Sequence, residues 1–139
     1  MQPQLAARPR LYLTAVRRQR LQSRPATTLL SRAAEQVCRQ AECYCESPVI
    51  EYNESGHNAL LNRARRMQGR VVTLLARWDQ TTDERYRRAV IEHLREMASW
   101  EYWSWFSMRK GDARPEAFFD LSYGENAATL ALARDWLAD

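Results

Sequence analysis

The spacing of apolar residues predicts helices along most of the chain. The clearest pattern covers residues 60–78, where an apolar residue recurs every three or four positions, as one face of a helix requires. Its members are Leu60, Ala64, Met67, Val71, Leu74 and Trp78. A similar stripe predicts an earlier helix, which begins near Pro25 and ends at Ser47-Pro48; its members are Leu30, Ala34, Val37, Ala41 and Tyr44. No segment alternates with the two-residue period of a strand, so the pattern predicts an all-α fold.

Residues 58–100 are predicted to form an antiparallel helical hairpin. Asp79-Gln80-Thr81 reads as a short turn, and Thr81 and Glu84 have the spacing of a capping box at the start of the next helix. The apolar face of that helix is predicted to consist of Tyr86, Val90, Leu94 and Met97. Two helices joined by so few residues pack against each other in opposite directions.

The N-terminal residues predict a separate segment that precedes the hairpins. Pro9 disfavours the helical conformation for the residue before it, and Thr14 can cap a short helix that runs through Leu21. We therefore divide the chain into residues 1–24, an extended segment with a short helix, and residues 25–139, a helical-hairpin region. The two parts together are predicted to form a single domain.

The last predicted helix, over residues 124–138, is apolar on nearly every side. Ser122 and Glu125 have the spacing of a second capping box in front of it. A helix of this kind is usually buried on more than one side. We therefore expect neighbours that this chain does not itself supply. The expectation is that the chain is the front part of a larger helical protein and that it self-associates through this helix.

Charge and cysteine content narrow the range of partners. The chain has 139 residues and a formal net charge of +4, but its arginines are spread out and do not form one basic stripe, which argues against a nucleic-acid partner. No apolar run is long enough to cross a membrane, so we also expect no membrane partner.

Cys38, Cys43 and Cys45 do not share one helix face, which argues against a metal site. We expect no metal and no cofactor.

Four stretches resemble, in order, the N-terminal part of the heparinase II/III-like and alginate-lyase-like polysaccharide lyases. They are "RPRLYLTAVRRQRLQSRP", "LLSRAAEQVCRQAE", "RVVTLLARWDQTTDERYRRAVIEHLREMASW" and "PEAFFDLSYGENAATLALARDWLAD". The chain departs from the family pattern at Ala117, where a His is common, and at Arg134, where a Tyr is common. The resemblance implies an incomplete (α/α) toroid of antiparallel helical hairpins, an acidic polysaccharide as partner, and a periplasmic or secreted location.

The resemblance leaves open whether the chain is an enzyme. Members of the family cleave uronic-acid glycans by β-elimination, using an Asn-His pair and a Tyr that lie beyond the stretches matched here. No catalytic residue can therefore be assigned. We expect an N-terminal part of a lyase-like toroid that is not catalytic alone. The alternative is a non-catalytic helical module that binds a protein or a glycan.

The aromatic cluster near residue 103 and the start of the last helix supply the candidate substrate-binding residues. They are Trp103, Trp105, Arg109, Tyr123 and Glu125. Sugar rings stack on aromatic faces, and an arginine can pair with a uronate carboxylate. The resemblance implies that the start of the last helix lies near the glycan cleft. The structural alternatives are that the tryptophans fill the hairpin core and that the glutamate serves as a capping partner. For His57 and His93 we expect a surface or structural role.

Overall fold

A computed structural model describes residues 8–23, 27–53, 55–105 and 120–137. These residues contain five helices and no strand, which confirms the all-α class. The helices are α1 (Ala15–Gln22), α2 (Thr28–Glu46), α3 (Ala59–Thr81), α4 (Glu84–Ala98) and α5 (Leu121–Leu137).

The helices from α2 to α5 alternate in direction. Helix α4 returns antiparallel to α3, as predicted. Helix α2 also runs antiparallel to α3. Near the end of α2, the Arg70 guanidinium donates to the Ser47 carbonyl oxygen at 3.0 Å. Earlier in α2, Cys38 lies near Arg77, which comes later in α3. Helix α5 runs parallel to α3, since Glu125 meets Arg65 near the start of both helices and Trp136 lies close to Leu75 further along. Helices α2 and α4 therefore point one way, and α3 and α5 the other.

The hydrophobic core is centred on the α3/α4 hairpin. Its fully buried large side chains are Met67, Val71, Leu74 and Leu75 from α3, with Tyr86, Val90 and Met97 from α4. Ala41, Ile50, Trp100 and Ala133 complete this core from other parts of the chain. The predicted stripes of α3 and α4 are thus confirmed, except that Trp78 and Leu94 are only partly buried.

Both predicted capping boxes are wrong, because an aspartate caps each helix instead. Helix α3 continues through Thr81, with Thr82 as its C-cap, and the Asp83 carboxylate accepts the Arg85 N–H at 2.9 Å. Helix α5 begins at Leu121, so Ser122 lies inside it, and the Asp120 carboxylate accepts the Tyr123 N–H at 3.0 Å. A negative carboxylate also interacts favourably with the positive end of the helix dipole, which a neutral hydroxyl does much less.

The first half of α2 does not pack as its apolar stripe predicts. The helix begins at Thr28, where Thr27 accepts the Leu30 N–H at 3.2 Å, and every residue from 28 to 36 is exposed. Leu30 and Ala34 were predicted to be buried. They are not, because α2 reaches the last turn of α3 at about Cys38 and its earlier turns extend beyond that end. Pro25 lies outside the described residues.

Helix α5 is buried on a single face, and that face is small and polar. It consists of Ser122, Asn126, Thr129 and Ala133, with Asp135 beside it. Leu121 is 69% exposed and Leu130 is 38% exposed. Within the described residues, the other sides of α5 are not covered by this chain. The expectation that neighbours from outside the chain cover them stays a prediction. Small residues allow α5 to approach α3, the helix against which it mainly packs.

The N-terminal segment is attached to the far end of α5. The Asp135 side chain is buried, and its Oδ2 accepts the N–H groups of Arg10 at 2.7 Å and Leu11 at 2.8 Å. Thr14 caps α1, as predicted, by accepting the Arg17 N–H at 3.3 Å. Asp135 thus joins the N-terminal segment to α5, although the two lie at opposite ends of the chain.

Candidate functional site

A groove of about 590 Å³ lies where the loop before α3 meets the start of α5. We call it the first groove. The residues that line it are Gly56, His57, Asn58, Ala59, Leu60, Leu61, Trp105, Asp120, Leu121 and Ser122. Its volume lies within the usual range for small-molecule sites.

Asp120 organises one wall of the first groove. Its Oδ1 accepts the Tyr123 N–H, and its Oδ2 accepts both the Ser104 hydroxyl and the Trp105 N–H, each at 3.0 Å. The carboxylate therefore caps α5 and also holds the backbone of Trp105 against it. The Trp105 side chain is 43% exposed, so the groove presents an aromatic surface from a fixed position.

Trp103 and Tyr123 come together, but outside the lining of the first groove. Their ring centroids are 6.0 Å apart with the planes tilted by 57°, and the Trp103 Nε1–H donates to the Met97 carbonyl oxygen at 2.8 Å. Both side chains are partly buried. In this arrangement they connect the end of the hairpin to α5, next to the groove wall.

Glu125 lies further along α5 and forms an ion pair. Its Oε1 is 3.0 Å from the Arg65 Nε, and 26% of its side chain is exposed. It does not act as the capping partner that its spacing predicted. Arg109 falls outside the described residues. Of the four predicted site residues that the structure describes, Trp105 alone is among those that line the first groove.

Sequence reasoning missed Asp120 and Arg65. Asp120 had a usable signal, because an aspartate directly before a strong helix is a common N-cap. Arg65 had none: it lies on the polar side of α3, and its pairing with α5 depends on how the two helices pack. His57 was predicted to have a surface or structural role, and it is an exposed residue in the wall of the groove.

Among the residues that the structure describes, the titratable groups with clearly shifted pKa values lie outside the lining of the first groove. Burial lowers the pKa of His93, whose Nδ1 lies 2.8 Å from the Ala89 carbonyl oxygen. The hydrogen bond from the Tyr86 hydroxyl, helped by the charge of Arg85, lowers the pKa of the Glu42 carboxyl. Both groups belong to the packing of α2 and α4. The described lining of the first groove offers an aromatic surface and hydrogen-bonding side chains.

Comparison with known proteins adds no family to this picture. No protein-family model, curated protein or solved structure matches the chain significantly. None of the described helices is long and apolar enough to cross a membrane. Across the same residues, no three His, Cys, Asp or Glu side chains are grouped so that they could hold a metal ion. The geometry of the groove is therefore the starting point for function.

Proposed function

We propose that this chain is a carbohydrate-binding helical module that takes an acidic polysaccharide in the first groove. We further propose that it is built as part of an (α/α) toroid, like that of the polysaccharide lyases it resembles. The observation that carries the proposal is Trp105, whose indole is partly exposed in the groove while Asp120 holds its backbone. A sugar ring has apolar C–H faces that stack on such an indole.

The polar atoms around Trp105 support a sugar as the ligand. His57 and Asn58 also line the groove, and their side chains are of types that can donate hydrogen bonds to hydroxyl or carboxylate oxygens. Both Asp120 oxygens already accept hydrogen bonds from protein groups. His57 and Asn58 are therefore the groups that we assign to contact the sugar oxygens.

The directions of the helices support the toroid part of the proposal. A toroid of helical hairpins places all of its inner helices in one direction and all of its outer helices in the other. Here α3 and α5 are parallel neighbours, while α2 and α4 run the opposite way. Two adjacent hairpins of a toroid would have this alternation.

We propose binding without catalysis. β-Elimination needs a base at the sugar C5 proton and an acid at the leaving oxygen, both within hydrogen-bonding reach. Asp120 already accepts three hydrogen bonds from protein groups, and we assign His57 to binding. The chain on its own should produce no rise in ultraviolet absorbance from unsaturated uronate product on heparin or alginate. Measurable turnover would contradict this assignment.

The test of the proposal is to titrate Trp105 variants with uronate oligomers. We expect Trp105→Ala to weaken binding of an alginate hexamer about tenfold, which corresponds to about 1.4 kcal/mol, and Trp105→Phe to weaken it less. The control is Leu29→Ala, which removes exposed apolar surface (Leu29 is 77% exposed) on α2, far from the groove. Equal affinity of wild type and Trp105→Ala would overturn the proposal, as would equal binding of a neutral glucan hexamer.

A second candidate function is self-association, and the exposed apolar residues of α5 favour it. Leu121 and Leu130 are exposed, and Ala127, Ala128 and Ala131 are exposed on the same helix. Contiguous exposed apolar surface commonly marks an interface. Sedimentation should show a dimer that Leu130→Glu dissociates, with Leu29→Glu on α2 as the control. A wild-type protein that is monomeric at high concentration would exclude this function.

A further inference from the structure

A second groove, of about 340 Å³, lies between the N-terminal segment and the α3/α5 pair. The residues that line it are Tyr12, Arg65, Gln68, Gly69, Val72, Leu75, Leu132 and Trp136. It contains two aromatic side chains, an apolar floor, and an arginine beside a glutamine amide. None of these residues lines the first groove.

The arginine of the second groove is positioned so that it can bind an anion. The Arg65 Nε is 3.0 Å from Glu125 Oε1, and 57% of the Arg65 side chain is exposed. Gln68 donates to the Glu125 carbonyl oxygen at 3.4 Å, which places its amide next to the same residue. Only the Nε atom of Arg65 is used in this ion pair, and a guanidinium can bind a carboxylate through its two terminal nitrogens.

The aromatic wall formed by Tyr12 depends on the N-terminal segment. Asp135 accepts the N–H of Leu11, and the Arg17 guanidinium donates to the Tyr12 carbonyl oxygen at 2.9 Å. The Arg17 guanidinium carbon also lies 5.5 Å from the centroid of the Tyr12 ring. The Tyr12 side chain, 66% exposed, is thus held at the groove with a second positive charge beside it.

Gly69 leaves the floor of the groove open. A Cβ added at this position would meet no other atom within 4 Å. A glycine inside a helix is about 1 kcal/mol less favourable than alanine, so Gly69 lowers the stability of α3. At the same position, the missing side chain leaves space in the groove. A larger side chain at position 69 would enter space that a ligand could occupy.

We propose that the second groove binds a ring that carries a carboxylate, specifically one uronate unit of the polysaccharide. The carboxylate pairs with Arg65, Gln68 binds a ring hydroxyl, and the ring lies between Tyr12 and Trp136. This inference rests on the proposed function, because it assigns a further unit of the same ligand. Leu61 of the first groove and Val72 of the second lie on the same side of α3, about 16 Å apart at 1.5 Å per residue. One extended oligomer can therefore reach both grooves.

The test combines a variant that fills the groove with one that removes its charge. Gly69→Leu should weaken binding of an alginate hexamer at least tenfold without loss of thermal stability. Gly124→Leu is the matched control, because Gly124 is a helical glycine with equally open space outside both grooves. Arg65→Gln should also weaken binding, whereas Arg66→Gln, whose guanidinium donates to the Glu51 carbonyl oxygen, should not.

The outcomes separate this inference from the proposed function. If Trp105→Ala weakens binding and both Gly69→Leu and Arg65→Gln leave it unchanged, the second groove is not a sugar site and the proposed function stands. If only the second-groove variants weaken binding, the second groove is the site and the first is not. If benzoate competes with glucuronate for the second groove and binds more tightly, the ligand is an aromatic acid and the uronate assignment is wrong.

Discussion

Helices α3 and α5 lie side by side and parallel, but they are buried by different means. The buried residues of α3 are apolar, and most of them are large. The buried residues of α5 are Ser122, Asn126, Thr129, Ala133 and Asp135, while two of its leucines are exposed. In α3, polar residues on one side identify the apolar side as the buried one. In α5, alanine and leucine occur on all sides, so small size and specific hydrogen bonds determine the face that is buried.

Truncating a leucine on each helix should give the largest contrast. Leu74 on α3 is completely buried, and Leu130 on α5 is 38% exposed. Leu74→Ala should lower the free energy of unfolding by about 3 kcal/mol, because it removes buried methyl groups and leaves a cavity. Leu130→Ala should change it by less than about 0.5 kcal/mol. Urea denaturation measures both, and equal losses would mean that α5 is packed through its leucines.

Removing the buried carboxylate of α5 should have the next largest effect. Asp135→Ala leaves the N–H groups of Arg10 and Leu11 without their acceptor, and we expect a loss of about 2 kcal/mol. Amide hydrogen exchange should accelerate at Arg10 and Leu11. Arg134→Ala, at the exposed neighbouring position, should change neither stability nor exchange. Unchanged exchange in Asp135→Ala would show that the N-terminal segment is held by other contacts.

The hairpin has its own buried polar residue, His93, which predicts a pH dependence. Burial lowers its pKa in the folded state, and nearby Arg70 adds to this, while the hydrogen bond to Ala89 and the charge of Glu96 act in the opposite direction. In the unfolded chain the imidazole takes up a proton below about pH 6.5. The contribution of neutral His93 to the free energy of unfolding is therefore complete above that pH and is lost as the pH falls through the lowered pKa of the folded state.

His93→Leu should flatten this part of the stability curve. For one proton the slope cannot exceed about 1.4 kcal/mol per pH unit. Urea denaturation of the wild type and the variant between pH 7 and pH 5 measures the difference. Identical slopes would show that His93 is not the group that titrates. The hairpin would then be stabilised by its apolar residues without a titrating polar group, unlike α5 with its buried polar face.

The smallest effect should come from the turn between α3 and α4. Thr82 has φ 56°, in the left-handed region, where a β-branched residue is strained. Its N–H donates to the Trp78 carbonyl oxygen at 2.7 Å, a bond that glycine would keep. Thr82→Gly should raise stability by about 1 kcal/mol, whereas Thr81→Gly, inside the helix, should lower it. Thermal denaturation distinguishes the two, and destabilisation by both would show that Thr82 is not strained.

The sequence was most informative where its pattern was local. The stripe from Leu60 to Leu74 and the position of the hairpin follow from periodicity alone. The two capping-box predictions were wrong because they used only the spacing from Thr81 to Glu84 and from Ser122 to Glu125. That spacing does not reveal that an aspartate lies nearer the true start of each helix. The exposure of Leu30 depends on where the neighbouring helix α3 ends, which the residues of α2 cannot indicate.

The candidate site was predictable only in part, because its geometry depends on distant contacts. Trp105 was identified from its type and its neighbours, but its place in the first groove depends on a bond to Asp120. The second groove depends on the bonds from Arg10 and Leu11 to Asp135, which connect the two ends of the described chain. No local pattern indicates such a pairing.

The most direct test of the binding proposals uses the indole N–H signals of the five tryptophans in a nuclear magnetic resonance titration with an alginate hexamer. Trp105 lines the first groove and Trp136 the second. Trp78 lines neither groove, and the Trp100 and Trp103 indoles are hydrogen-bonded to Glu96 and the Met97 carbonyl oxygen. We predict that the Trp105 and Trp136 signals shift together and that the Trp78 signal does not. Unchanged Trp105 and Trp136 signals at saturating oligomer, or a shift confined to Trp78, would contradict the account.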